Sequence, residues 1–237
     1  MPIPAPNVIP DAVPAARAHV LTAPPPVETW EQVPAARAHV LIFSKAPFPG
    51  YCNTRLAATV GGTAAARLQV RLLRRVLTTA TASGLDCSLW CAPDCAHPTL
   101  LRLRRRYGVA LHRQQQGDLG QRMSFAVKHV LKRAPAALVV GTDCPAMTGH
   151  VLYQAAVALT QGADAVFVPA EDGGFVLAGL RRRAPRLFRG IDWGGKHVMA
   201  QARRRARRLG LCWRELPALW DLDDRSDWLR ARRGGWV

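Results

Sequence analysis

The pattern of apolar and polar positions along this chain predicts a layered α/β domain. Short apolar runs alternate with longer segments in which apolar residues recur every three or four positions, the spacing of an amphipathic helix. Strands that alternate with helices are typical of a mostly parallel sheet with helices on both faces. The predicted strands cover residues 39–44, 86–91, 109–113, 137–140, 165–169, 175–180 and 212–216, and the predicted helices cover residues 54–59, 63–82, 98–107, 121–132, 149–161, 196–209 and 224–233.

The segment before the first predicted strand is rich in proline and alanine and lacks this pattern. Because such a composition buries too little apolar surface to fold, we expect a disordered extension over residues 1–37 and one folded domain over residues 38–235. The sequence VPAARAHVL occurs at residues 13–21 and again at residues 33–41, where it leads into the first strand. Two copies are too few for a solenoid, which favours a duplicated lead-in to that strand.

The apolar run 137–140 is typical of a buried central strand, and the polarity changes abruptly after it at Gly141, Thr142 and Asp143. In open α/β sheets, ligands bind beyond the carboxyl ends of the strands. Asp143 therefore lies where a nucleotide-binding enzyme holds a hard divalent cation such as Mg²⁺ or Mn²⁺, which prefers carboxylate and phosphate oxygens. The alternative is that Asp143 only caps the helix that follows.

Two loops carry groups suited to phosphate. The first, SKAPFPGYCNTRL, contains Gly50, which lets the backbone approach a ligand, and it carries positive charge at Lys45 and Arg55. The second, QQQGDLGQRM, places Arg122 where it could bind a phosphate, while Asp118 could cap the helix that begins there. Neither loop matches a P-loop or a dinucleotide-binding turn, and each alone is compatible with a plain connection between a strand and a helix.

Two acidic segments follow late strands. PAEDGGF contains Glu171 and Asp172 at a turn between two strands, where Asp-Gly alone is a common hairpin signal. LWDLDDRSDW contains Asp221 and Asp223 before the last helix. One carboxylate of this segment could cap that helix, and another could bind a metal ion opposite Asp143.

Charge and cysteine usage narrow the function classes. The 33 Lys and Arg residues against 16 Asp and Glu residues give a formal net charge of +17, which favours phosphate-bearing partners and keeps nucleic acid as an alternative, with the Arg-rich segment 203–208 as the candidate surface. The six cysteines include no C-x-x-C pair, which fits a reduced compartment. Since no secretory signal pattern and no run of membrane-spanning length is present, we expect a cytoplasmic protein.

Taken together, these motifs resemble the DUF2064 family in content and order, over about residues 38–230. The motifs are SKAPFPG followed by TRL, then GDLGQRM, GTDCP, PAEDGGF with LFRGIDW, and the late DLD. That family is described as transferase 1 associated with radical-SAM and selenodomain proteins, and also as a glycosyltransferase of arsenosugar biosynthesis. The resemblance implies a GT-A-like nucleotide-diphosphosugar transferase fold. It also implies a site for a nucleotide sugar, a small-molecule acceptor and a divalent metal ion, Mg²⁺ or Mn²⁺.

The resemblance also assigns residues to these roles. The nucleotide-binding positions match at Lys45, Gly50, Thr54, Arg55, Gly117, Asp118, Gly120 and Arg122. The metal-binding acid of GT-A-type enzymes matches Asp143, the late acidic pair matches Asp221 and Asp223, and the acceptor-side turn matches Asp172, Gly173 and Gly174. The chain departs from the family at Asn53, where lysine is usual, at Phe175, where tyrosine is usual, and at Gly194-Gly195, which replaces a polar pair. Asn53 is still a candidate nucleotide-binding residue of the first loop, although the change from lysine removes one phosphate-facing charge.

Three functions are open from the sequence. In a glycosyltransferase, Asp143 with the late acidic pair would hold the metal ion on the diphosphate, Arg55 would stabilise the leaving nucleoside diphosphate, and Asp172 or Glu171 would be the base for an acceptor hydroxyl. A nucleotidyltransferase would instead join a nucleoside triphosphate to a small phosphorylated acceptor and release pyrophosphate. An inactive relative would bind nucleic acid or a protein through its Arg-rich surface, because fold alone does not fix function.

Overall fold

The computed structural model describes residues 37–236 and, as backbone only, Val20–Leu21. Within these residues the strands are β1 (Val20–Leu21), β2 (His39–Lys45), β3 (Asp86–Ala92), β4 (Ala110–Arg113), β5 (Ala137–Val140), β6 (Ala165–Pro169), β7 (Phe175–Leu180) and β8 (Trp213–Glu215). The helices of the same part of the chain are α1 (Thr54–Val60), α2 (Gly62–Ala82), α3 (Pro98–Tyr107), α4 (Leu119–Val130), α5 (Gly149–Thr160), α6 (Val198–Arg208) and α7 (Arg225–Arg233), with a 3₁₀ turn at Pro185–Leu187.

The strands form one sheet in the order β1-β8-β6-β7-β5-β2-β3-β4. β7 runs antiparallel to its neighbours β5 and β6, and the other pairings described are parallel. β6 and β7 thus form the hairpin that the Asp-Gly turn predicts. The predicted α/β class with a mostly parallel sheet is confirmed, and the parallel order of β5, β2, β3 and β4 places their carboxyl ends at one edge.

Helices cover both faces of the sheet because the side chains of each strand alternate between two cores. In β5, Leu138 and Val140 lie in a core shared with α2, α3 and α5. Ala137 and Val139 lie in a second core shared with α4 and α6. Burial on both faces explains why the central strands are almost continuously apolar in sequence.

A third, smaller core lies beneath the late acidic segment. It joins α1, α2 and α7 and contains Trp220 and Leu222. Asp224 is the N-cap of α7, and its carboxylate accepts hydrogen bonds from two backbone N–H groups of the first turn. Of the carboxylates in this segment, Asp224 therefore serves the helix, which leaves Asp221 and Asp223 for another role.

The predicted extension lies largely outside the described residues. Val20–Leu21 fall within it and pair with β8 as a parallel edge strand, with Val20 opposite Trp213. The disorder of residues 1–37 and the domain boundary near residue 38 stay predictions. Among the residues that the structure describes, no helix combines the length and the apolar character that crossing a membrane requires.

Candidate functional site

Three carboxylates come together at the carboxyl end of β5. Asp143 follows that strand closely, and its backbone carbonyl accepts a 2.8 Å hydrogen bond from the N–H of Leu222. This bond holds the late acidic segment against the turn after β5, so that Asp221 and Asp223, the neighbours of Leu222, approach Asp143. One ligand oxygen from each of these three aspartates, here called the acidic triad, lies within 4.8 Å of those of the other two.

The acidic triad carries negative charge that the surrounding residues do not fully compensate. Burial raises the pKa of Asp143 to about 6, and the carboxylate of Asp223 adds to the rise. Burial and the neighbouring Asp143 raise the pKa of Asp221 to about 7. Burial also raises the pKa of Asp223, although Arg55 opposes that shift. Half-buried carboxylate oxygens with unmet charge fit a hard divalent cation such as Mg²⁺ or Mn²⁺.

Asp143 does not cap the helix that follows it. The N-cap of α5 is Thr148, whose Oγ1 accepts a 3.3 Å hydrogen bond from the N–H of Val151. The capping explanation for Asp143 is therefore wrong. Its side chain belongs to the acidic triad instead.

A cavity of about 440 Å³ opens beside the acidic triad. Its walls come from the ends of β2 and β5, from α2, and from the loops that follow β2 and β4. Lys45, Arg55 and Arg122 line it together with Asp143 and Asp223. An acidic end beside cationic walls is an arrangement that suits a metal-bound diphosphate, because carboxylates bind the metal ion and cationic side chains bind phosphate oxygens.

Two arginines of the cavity are already oriented by the protein. The guanidinium of Arg55 donates a 2.9 Å hydrogen bond to Asp223 and a 3.3 Å bond to the carbonyl of Gly194. Arg122 Nε donates to the carbonyl of Gly117 at 2.8 Å. Because a guanidinium has five N–H donors, both side chains keep donors for an anion in the cavity.

Asn53 lines the same cavity in a constrained conformation. Its φ of 46° is the only positive φ of a non-glycine residue among the described residues. Asparagine tolerates this left-handed region better than most residues. Its Nδ2 is buried and has no hydrogen-bond partner within the described chain. Since an unpaired buried donor costs free energy, a ligand oxygen at this wall would stabilise it.

The first loop supplies four of the predicted nucleotide-binding residues to the cavity: Lys45, Asn53, Thr54 and Arg55. Gly50 shapes the loop, with a φ of 78°. In the second loop, Asp118 is the N-cap of α4, and its Oδ1 accepts a 2.8 Å hydrogen bond from the N–H of Gln121. The capping account of Asp118 is thus the one that the contacts support, and its role in nucleotide binding stays a prediction.

The two acidic residues of the turn between β6 and β7 have different hydrogen-bond partners. Both carboxylate oxygens of Glu171 accept hydrogen bonds from Arg230, at 2.7 and 3.4 Å, and this pairing lowers the pKa of Glu171. Asp172 accepts a 2.8 Å bond from the N–H of Gly174 through one oxygen. Its charge contributes to the raised pKa of Asp221. Asp172 is therefore electrostatically part of the site, whereas Glu171 is bound to α7.

Sequence reasoning missed two buried glutamines that line the cavity. Gln69 on α2 donates to the hydroxyls of Ser44 and Thr142 at 3.1 and 3.0 Å. Gln114, after β4, donates to the carbonyls of Trp90 and Ser44 at 2.9 and 3.3 Å. The available signals were weak: a glutamine within the apolar stripe of a helix, and a polar residue directly after a strand.

Several arginine side chains of the Arg-rich helix α6 contact other residues of the protein. Arg203 forms a two-point pair with Glu215, with N to O distances of 2.9 and 2.7 Å. Arg205 donates to the carbonyl of Gly190 at 2.7 Å. The guanidinium of Arg207 lies 5.9 Å from the ring centroid of Trp213. These contacts give the arginines a structural role and weaken the case for a nucleic-acid surface here.

The chain matches the family model described as "Uncharacterized protein conserved in bacteria (DUF2064)" over residues 73–195, slightly more than half of its length. It is similar to a solved structure from Desulfovibrio desulfuricans G20, provisionally described as a nucleotide-diphospho-sugar transferase, with 29% identity, a TM-score of 0.72, and coverage of 79% of this chain and 82% of that chain. No curated protein matches in sequence.

Two more distant structures share the fold. A nucleotidyl transferase from Methanothermobacter thermautotrophicus has 15% identity, a TM-score of 0.54, and coverage of 84% of this chain and 97% of that chain. CMP:2-keto-3-deoxy-manno-octonic acid synthetase, complexed with CTP, has 11% identity, a TM-score of 0.55, and coverage of 85% and 100%. The fold predicted from the resemblance is confirmed as that of the nucleotide-diphospho-sugar transferases, and the chain belongs to the DUF2064 family.

Proposed function

We propose that this protein transfers a sugar from a nucleotide-diphosphate donor to a small acceptor, with a divalent metal ion at the acidic triad. The observation that carries the proposal is the triad, with its ligand oxygens within 4.8 Å of one another. It stands at the end of a cavity of about 440 Å³ whose walls are cationic. The likeness to a nucleotide-diphospho-sugar transferase at 29% identity supports the donor class.

Different residues of the cavity bind the metal ion and the diphosphate of the donor. Mg²⁺ or Mn²⁺ held by Asp143, Asp221 and Asp223 would neutralise diphosphate charge and favour departure of the nucleoside diphosphate. Arg55 and Arg122 bind diphosphate oxygens with the N–H groups that the protein leaves available. In the same wall, Asn53 donates its unpaired Nδ2–H, and Lys45 adds a point charge.

Asp172 is the proposed base for the acceptor. Glu171 is the poorer choice because Arg230 engages both of its oxygens and lowers its pKa. Asp172 is exposed and uses one oxygen for its own turn, so the other is available to an acceptor hydroxyl. In the transfer, the acceptor oxygen bonds to the anomeric carbon while the bond from that carbon to the diphosphate oxygen breaks. The hydroxyl proton passes to Asp172, and the nucleoside diphosphate leaves.

Nucleotidyl transfer is the second candidate, because two of the neighbours with this fold are a nucleotidyl transferase and a CTP-bound synthetase. That reaction would place a phosphorylated acceptor next to the acidic triad. Asp172 adds a further carboxylate on this side and raises the pKa of Asp221. A phosphate acceptor is already an anion and needs no base, whereas a hydroxyl acceptor does, so a carboxylate such as Asp172 supports sugar transfer better.

A thermal-shift screen of nucleotide sugars and of nucleoside di- and triphosphates, with and without Mn²⁺, tests the proposal. A ligand at a hundredfold excess over its Kd stabilises the protein by about 2.7 kcal/mol. We expect a Mn²⁺-dependent rise in Tm with at least one nucleotide sugar and with its nucleoside diphosphate. Pyrophosphate release from a nucleoside triphosphate would favour nucleotidyl transfer instead. Tight DNA or RNA binding that falls steeply with salt, with no nucleotide response, would favour the inactive relative.

A further inference from the structure

The cavity contains a side-chain amide whose orientation the protein fixes. Gln114 is only 9% exposed, and its Nε2 donates to the backbone carbonyls of Trp90 at 2.9 Å and Ser44 at 3.3 Å. A flipped amide would set Oε1 against these two carbonyl oxygens, which repel it. Both N–H groups of the amide are therefore committed to the backbone of β2 and β3. The Oε1 of Gln114 must face away from them.

That oxygen is an acceptor without a donor. Among the residues that the structure describes, none donates a hydrogen bond to Oε1 of Gln114. This oxygen is not fully buried, so it keeps some exposed surface. Gln114 lines the cavity, and Oε1 is the polar atom of its amide that the described residues leave without a partner. An acceptor of fixed orientation beside a cavity suits a ligand N–H, which would replace the water that otherwise solvates it.

The position of this acceptor relative to the acidic triad fits a nucleobase. In the sheet, β5 is followed by β2 and then β3, and neighbouring strands lie about 4.8 Å apart. The amide of Gln114 lies over β2 and β3, so it stands about 5–10 Å across the sheet from the end of β5, where Asp143 lies. A separation of this size allows a nucleotide with its diphosphate at the triad to place its base against Gln114.

We infer that Gln114 is a specificity-determining residue that reads the base of the donor nucleotide, by accepting a hydrogen bond from a ring or amino N–H on the base edge. This inference rests on the proposed function insofar as a nucleotide must bind in the cavity. Because its nitrogen is committed to the backbone, Gln114 offers only an acceptor and cannot turn its amide to suit a different edge. A site built in this way rejects a base that lacks the N–H, since the bound base would shield the oxygen from water and leave it unpaired.

Binding measurements on the full chain test this inference. Titration calorimetry in Mn²⁺ compares the four common nucleoside diphosphates with analogues methylated at the edge nitrogen, which are N3-methyl for uracil, N4,N4-dimethyl for cytosine, N1-methyl for guanine and N6,N6-dimethyl for adenine. For the base that binds most tightly to the wild-type protein, methylation should weaken binding at least tenfold. In Gln114→Met this preference should fall below about twofold, while inorganic pyrophosphate binds as before. Gln115→Met, at the exposed neighbouring glutamine, is the matched control and should behave as wild type.

An unchanged base preference in Gln114→Met would overturn the inference. So would equal binding of the preferred base and its methylated analogue to the wild-type protein, a comparison that needs no variant and therefore does not depend on how Gln114→Met folds. If pyrophosphate binds with Mn²⁺ but the base and its methylation do not change affinity, the role of Gln114 is contradicted and the proposed function is not. Failure of pyrophosphate and of every nucleotide to bind would contradict both.

Discussion

Replacing Asp143 by Asn should stabilise the metal-free protein, because it removes a charge from the acidic triad. The ligand oxygens of the triad lie within 4.8 Å of one another. Two unit charges at that distance repel by about 1 kcal/mol in water and by about 3.5 kcal/mol at an effective dielectric constant of about 20. The pKa of Asp143, raised to about 6 mainly by burial, indicates a penalty of similar size, since one pKa unit is about 1.4 kcal/mol. We expect a gain of about 1–3 kcal/mol at pH 8.

Calorimetric melting in EDTA measures this gain, which for a chain of this size corresponds to a rise in Tm of about 2–12 °C. The pKa of Asp143 is higher in the folded than in the unfolded state, so its charged form lowers stability at high pH. The advantage of Asp143→Asn should therefore be largest at pH 8. It should shrink as the pH falls through about 6 and vanish below about pH 3, where the carboxyl is protonated in both the folded and the unfolded state. With Mn²⁺ added, the wild-type Tm should rise and that of the variant should not.

Asp86→Asn is the matched control. Asp86 is exposed at the amino end of β3, the edge of the sheet opposite the site, and its loss should change Tm by no more than about 1 °C. Asp143→Asn melting at or below the wild-type temperature in EDTA at pH 8 would refute the electrostatic reasoning. An undiminished Mn²⁺ response in that variant would show that the metal ion binds elsewhere.

Three other predictions concern the walls, the core and the amino-terminal segment. Asn53→Gly should raise Tm by relieving the φ of 46° and should weaken nucleoside diphosphate binding several-fold in calorimetry, whereas Asn53→Ala should cost about 1 kcal/mol of stability. Asp164→Asn should cost about 1–3 kcal/mol in urea unfolding at pH 7, because its buried carboxylate accepts hydrogen bonds from Arg181, Arg182 and one backbone N–H. Burial raises the pKa of Asp164, but those hydrogen bonds lower it overall. The stability lost in Asp164→Asn should therefore fade as the pH drops through the pKa of the folded state. A loss of stability that persists in acid would contradict this explanation. A shortened chain that begins at Val33 should keep the Tm of the full chain, and a large drop would mean that the segment is part of the fold.

The order of strands and helices could be predicted from the sequence because burial on one or two faces leaves a readable period. The predicted strand 175–180 coincides with β7, and the antiparallel direction of β7 follows from the short Asp-Gly turn before it. α4 begins at Leu119, two positions before the predicted start at Gln121, because Asp118 is the cap. Caps are set by local side-chain bonds that periodicity does not register.

The acidic triad was within reach of sequence reasoning because each of its members follows a strand of the same sheet. The partners of those residues were not. Arg55 bonds Asp223 across 168 positions of sequence, and the orientation of Gln114 depends on carbonyls in two other strands. Such contacts depend on side-chain geometry between distant segments, which neither spacing nor composition encodes. The same holds for Glu171, whose pairing with Arg230 on α7 makes it a poor base.

The most direct test of a metal-dependent nucleotide site at the acidic triad is anomalous diffraction from crystals grown with Mn²⁺ and a nucleoside diphosphate. We expect a Mn²⁺ peak within bonding distance of carboxylate oxygens of Asp143 and of at least one of Asp221 and Asp223. The diphosphate should lie against that ion, with Arg55 and Arg122 on its oxygens. A Mn²⁺ peak remote from these three carboxylates, or a nucleotide bound outside the cavity, would contradict it.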